Sequence, residues 1–131
     1  MEAARQTRTV EETIERHFAA SRAMDTEAWV ANFAPDAVCH DPVGGPPVKG
    51  HAGLRDLFQN ICSAFARLAI SEELVLVSGS SAAVKWDGHA VGHNGRETRF
   101  EGIDVFDFDD AGRIRALWGY WDPGSVMMRL R

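Results

Sequence analysis

The spacing of apolar residues changes near the middle of the chain, and that change excludes most folds. In the first half the spacing is helical. Val10, Ile14 and Phe18, with the small Ser21, share one face and predict a helix from Val10 to about Ala23, with His17 beside Phe18 on its inner side. Asp25 predicts the cap of a second, shorter helix carrying Trp29, Val30 and Phe33 and ending before Pro35. Ala37 to Asp41 reads as a short strand stopped by Pro42, and Pro42-Val43-Gly44-Gly45-Pro46-Pro47 must be a loop. A third helix follows Gly50, with Leu54, Leu57, Phe58, Ile61, Phe65 and Leu68 as a broad apolar face.

In the second half the period becomes two. Leu74 to Ser78, Ala82 to Val91, Thr98 to Phe108 and Ile114 to Trp121 read as strands, with hairpin turns at Asn94-Gly95 and at Asp109-Asp110-Ala111-Gly112. Helices first and an antiparallel meander afterwards predict an α+β fold, with the helices packed on one face of a curved sheet. The sequence has no internal repeat, low-complexity segment or linker, so the expectation is one domain over 1–131, with residues 1–8 disordered.

Composition narrows the partners. A length of 131 residues suits one domain, and an apolar fraction of 45% is ample for one core. The net charge is -5 and no lysine–arginine stripe is present, which argues against nucleic acid and anionic membrane as partners. No apolar run is long enough to span a bilayer, and Met1 to Thr9 lacks the apolar centre of a secretion signal. Nothing pairs Cys39 with Cys62, so a reducing cytoplasm is the expected location.

Asp104 is the most informative position. Alternation puts Phe100, Gly102, Asp104, Phe106 and Phe108 on one aromatic face, where ionisation is costly and a carboxyl group persists as a neutral donor. The competing reading makes Ile103 and Val105 the core face and leaves Asp104 exposed. Asp41, at a strand end before a Gly-Pro loop, either faces a cavity mouth or accepts turn hydrogen bonds. His17 alone reads as a core histidine. His40, His51, His89 and His93 are scattered, and their spacing gives no metal site. Trp86, Trp118, Trp121 and Phe58 read as core or pocket wall rather than a stacking platform for bases.

Two segments together resemble the bacterial ketosteroid isomerase family. One is Asp41-Pro42-Val43-Gly44-Gly45-Pro46-Pro47-Val48-Lys49-Gly50. The other is Ile103-Asp104-Val105-Phe106-Asp107-Phe108-Asp109, continued by Gly112-Arg113-Ile114 and Tyr120-Trp121. Their order and spacing suit the family, and the resemblance runs from about Val10 to Asp122. It implies the cone-shaped nuclear transport factor 2-like fold: a curved, mostly antiparallel sheet, three N-terminal helices on its concave face, and a homodimer. It places Asp41 at the catalytic base, Asp104 at a protonated acid in the oxyanion hole, and Trp121 in the pocket wall. The family's oxyanion-hole tyrosine corresponds to His17, and the tyrosines supporting it correspond to Phe33 and Phe58. The chain's single tyrosine, Tyr120, should point away from Trp121.

The activity implied is proton transfer α to a ketone, converting a β,γ- to an α,β-unsaturated ketone without cofactor or metal. The expected substrate is a small apolar carbonyl compound, steroids included, held by Phe33, Phe58, Trp86, Phe100, Phe106 and Trp121. Polyketide cyclases and epoxide-opening enzymes of the same superfamily are the alternative, as is a ligand-binding module without catalysis. Two buried acids favour an enzyme, because burying them only to hold an apolar ligand is costly.

Overall fold

The computed structural model describes residues 8–131. Helix α1 (Val10–Ala23) begins with a capping box: Thr9 Oγ1 accepts from Glu12 N at 3.1 Å, and Glu12 Oε1 accepts from Thr9 N at 2.9 Å. It ends on Met24 in the left-handed region, at φ 53°. The buried face carries Thr13, Ile14, His17, Phe18, Ala20 and Ser21. Helix α2 (Thr26–Val30) is capped by Asp25, which accepts from Ala28 N at 3.1 Å.

The expectation that the second helix reaches Phe33 is corrected. Strand β1 (Phe33–His40) starts there and contains Pro35. Its parallel register with the last strand slips between Phe33 and Val38, and Pro35 falls in the slip, where no ladder donor is needed. A two-residue strand β2 (Val48–Lys49) then pairs with β1 and leads into α3 (Gly50–Ser63).

Strand β3 (Arg67–Ser78) starts well before Leu74, and Leu68 belongs to it rather than to a helix. A register shift between Glu72 and Leu74 breaks its alternation, which hides the first half from a period-two reading. Strands β4 (Ser81–Val91), β5 (Glu97–Phe108) and β6 (Ile114–Tyr120) fall close to their expected bounds. A fourth helix, α4 (Pro123–Arg129), was not expected. Asp122 caps it, Pro123 stands in its first turn, and Val126 and Leu130 are buried.

The strands form one open six-stranded sheet in the order β2-β1-β6-β5-β4-β3, antiparallel throughout except for β1 beside β6. Helix α1 packs against β3 and α3 against β1, with α2 between the two helices. The expected disorder of residues 1–8 falls, for 1–7, outside the described residues. Arg8 is held: its N–H donates to Ala111 O at 3.2 Å and its guanidinium to Asn32 Oδ1 at 2.7 Å. Thr13 Oγ1 donates to Gly112 O at 2.5 Å, which ties α1 to the β5–β6 turn.

Among the described residues, no helix is long and apolar enough to cross a membrane.

Candidate active site

On the helix-covered face, strands β4 and β5 exchange aromatic rings for glycines. Trp86 on β4 pairs with Gly102 on β5, and its Cζ2 and Cη2 occupy the space a Cβ on Gly102 would need. Phe100 on β5 pairs with Gly88 on β4, and its ring lies 2.5 Å from the place of a Gly88 Cβ. Each glycine lets the ring opposite lie flat on the sheet. Trp86 and Phe100 then meet edge to face at 5.5 Å, and Trp121 tilts onto Phe100 at 5.7 Å. Under the helices, Trp29 stacks on Phe58 with centroids 4.6 Å apart and planes 11° apart.

These rings enclose a cavity of about 60 Å³, also lined by His17, Phe18, Ser21, Ile61, Leu68, Ile70, Asp41 and Asp104. The sheet register brings the two acids to it from different strands. Asp104, on β5, lies opposite Gly119 of β6, and Asp41 follows the end of β1, the strand on the other side of β6. A Cβ on Gly119 would lie 2.5 Å from Asp41 Oδ1 and 3.3 Å from Asp104 Oδ1. Both carboxyls therefore close over the same glycine. The loop after Asp41 is fixed there by Val43 N donating to Gly119 O at 2.8 Å.

The two acids differ in their partners. Asp41 is half-buried and accepts from Trp121 Nε1 at 2.6 Å, a short, charge-favouring hydrogen bond. Burial raises its pKa, and the Trp121 donor opposes that rise. Asp104 is 8% exposed, with the Trp86 indole N–H as its nearby donor. Burial first, then the charge of Asp41, drives its pKa well above the ordinary carboxylate value, which favours its neutral form. Its burial, with Ile103 44% exposed, decides between the two sequence readings. Beneath them Cys39 is fully buried, its thiol pushed up by burial and by both carboxyls, so it offers no thiolate nucleophile.

His17 lies on the same cavity wall, 4% exposed, with Nδ1 lacking a hydrogen-bond partner. Desolvation lowers its pKa to about 3, so the imidazole is neutral. Phe18, Trp29, Phe33 and Phe106 surround it at 5.1, 5.6, 5.9 and 5.3 Å.

The cavity thus brings together Asp41, Asp104, His17, Phe58, Trp86, Phe100 and Trp121 of the expected set. Phe33 and Phe106 do not line it; they pack on His17 from behind. Trp29 and Gly119 were not among the expected site residues. A glycine amid the apolar strand Leu117-Trp118-Gly119-Tyr120 is a signal for close approach and points to Gly119, whereas Trp29 carries no comparable mark. The other histidines are engaged elsewhere: His51 with Phe33 O at 2.9 Å, His89 with Glu97 at 2.7 Å and His93 with Ser63 O at 2.8 Å. His40 stacks on Trp118 at 5.8 Å. Among the described residues, no three His, Cys, Asp or Glu side chains are grouped to hold a metal ion.

An open mixed sheet with helices closing one face, and two neighbouring carboxyls inside, defines an α+β pocket protein of the nuclear transport factor 2-like class. The chain belongs to the SnoaL-like domain family, whose model matches residues 14–117. A steroid delta-isomerase of Nocardioides simplex is 28% identical over 120 residues, covering 91% of this chain and 94% of that one. A candidate polyketide cyclase from Xanthomonas campestris pv. campestris superposes with a TM-score of 0.84 at 20% identity, over 93% of this chain and 96% of its own. A Mycobacterium tuberculosis protein solved with estradiol-17beta-hemisuccinate gives 0.77 at 24% identity, over 87% and 94%. The two structural likenesses establish the fold.

Proposed function

We propose that this protein is an enzyme that moves a proton next to a ketone, turning a β,γ-unsaturated ketone into its conjugated isomer. The observation that carries the reading is the asymmetry of the acid pair: Asp41 has an indole donor that favours its charge, while Asp104 is more deeply buried and protonated. One site thereby holds a base and a neutral acid at the same pH.

In the reaction, ionised Asp41 takes the proton from the carbon between the ketone and the alkene. The electrons of that C–H bond form the enolate, and the carbonyl π pair moves onto oxygen. Asp104 donates its O–H to that oxygen, and neutral His17 lends an N–H from the same wall. Protonated Asp41 then returns its proton to the γ-carbon, the enolate collapses to the ketone, and the double bond ends in conjugation. Asp41 is regenerated, and no redox or group-transfer partner enters.

Similarity to a steroid delta-isomerase supports this chemistry, and a steroid is among the substrates to test. The cavity of about 60 Å³ favours a more compact one, since pockets for drug-sized ligands typically hold about 300–1,000 Å³. Cyclohex-3-enone and a steroid β,γ-enone, each followed by absorbance of the conjugated product, test the reading together. Conversion of either supports it, with the compact ketone turned over faster per mole bound. Conversion of neither overturns it in favour of a cyclase or a binding module.

A further inference from the structure

Trp86 is 3% exposed, lines the cavity, and its Nε1 is buried without a hydrogen-bond partner. A buried indole N–H is normally paired, so an orphan at the wall of a site calls for an acceptor that arrives or turns toward it. Asp104 is the acceptor in place. It stands two residues after Gly102 on the same face of β5, diagonal to Trp86 across the β4–β5 ladder. The indole edge that overlies Gly102 is the benzo carbon Cζ2, one ring atom away from the carbon that bears Nε1. The N–H lies close enough to Asp104 to favour its charged form, just short of a closed hydrogen bond.

We infer that Trp86 is a positioning residue: in the occupied site its N–H donates to the carbonyl oxygen of the Asp104 carboxyl, so that the acid's O–H is aimed into the cavity at the ligand's oxygen. The logic is that of donors and acceptors. An indole N–H can only donate, so it selects the unprotonated oxygen of a neutral carboxyl. The proton is left on the other oxygen, from which it can be donated to the ligand's oxygen. Trp121 plays the opposite part toward Asp41, donating to a carboxylate and keeping it charged. Each acid thus has one indole beside it, and Asp104 stays neutral because burial and the charge of Asp41 outweigh its donor. This inference rests on the proposed role of Asp104.

The test is a double-mutant cycle on 4-nitrophenol, a compact enolate mimic whose ionisation is visible when bound. Trp86→Phe removes the N–H and keeps an apolar ring, and Trp86→Leu serves as a second variant should the first not fold. In the wild-type background, loss of the N–H should weaken binding about tenfold and lower the bound phenolate fraction. In the Asp104→Ala background, the same change should alter binding less than about twofold. Equal losses in both backgrounds would show that Trp86 only packs, which overturns the inference and leaves the proposed function standing. If Asp104→Ala alone leaves binding unchanged, the proposed oxyanion role fails and the inference goes with it.

Discussion

Trp121 Nε1 donates to Asp41 Oδ1 at 2.6 Å, across 80 residues of sequence. The bond joins the end of β1 to the residue just after β6, and it favours charge on Asp41. Burial pushes Asp41 toward the neutral form, and this donor pulls it back.

Trp121→Phe should therefore raise the pKa of Asp41 further. The acidic limb of the pH–rate profile should move to higher pH, with the pH-independent rate changed less than the rate at low pH. A profile that keeps its midpoint while falling uniformly would assign Trp121 to packing alone.

Asp104 makes the fold less stable as pH rises. Its folded pKa lies above the ordinary value of 3.8, so above that pH the folded protein keeps a proton that the unfolded chain releases. Stability then falls by up to about 1.4 kcal/mol per pH unit until the folded pKa is reached. Asp104→Asn should flatten this slope and raise the melting temperature at pH 7 while lowering activity. Thermal melts between pH 4 and 8 check the sign: an asparagine variant less stable at pH 7 contradicts the assigned burial.

His17 titrates in the opposite sense. Its folded pKa is about 3 against an ordinary 6.5, so within that window the unfolded chain binds a proton the folded one refuses. Stability is lost as pH falls from 6.5, and His17→Phe should retain more of it in acid. If the neutral ring also donates to the enolate oxygen, the same variant binds 4-nitrophenol about tenfold more weakly at pH 7. Unchanged affinity makes His17 a core residue.

Much of this site is legible in the sequence because alternation is a local property. Phe100, Gly102, Asp104, Phe106 and Phe108 announce one inward face, and all five are buried. Asp41 is visible as a carboxylate between a strand and a Gly-Pro loop. What the sequence conceals is non-local. The extra residue at Glu73 reverses the parity of β3 and hides Leu68 and Ile70 from a period-two search. Pro35 reads locally as the stop of a helix carrying Phe33, while the slipped β1–β6 register admits that proline into a strand. Helix α4 spans only seven residues, with Val126 as its one buried residue, too little for a helical period. The stack of Trp29 on Phe58 depends on how α2 meets α3, which no single segment encodes.

The sheet face turned away from the cavity carries Ile103 at 44% and Tyr120 at 50% exposure, with Trp118 half-buried beside them. Apolar surface of this kind is commonly covered by a second copy. Sedimentation at micromolar concentration should show mostly dimer, and Tyr120→Glu should shift it to monomer. A wild-type monomer throughout that range contradicts the pairing.

The most direct measurement is the rate of Asp41→Asn on whichever β,γ-unsaturated ketone the wild type converts fastest. Asparagine keeps the shape and the Trp121 hydrogen bond but has no basic oxygen to take a proton. With folded protein confirmed by circular dichroism, kcat should fall by at least about 10²-fold while substrate binding changes little. A variant within a few-fold of wild type would remove Asp41 from the chemistry and contradict the assignment of base and acid on which the account depends.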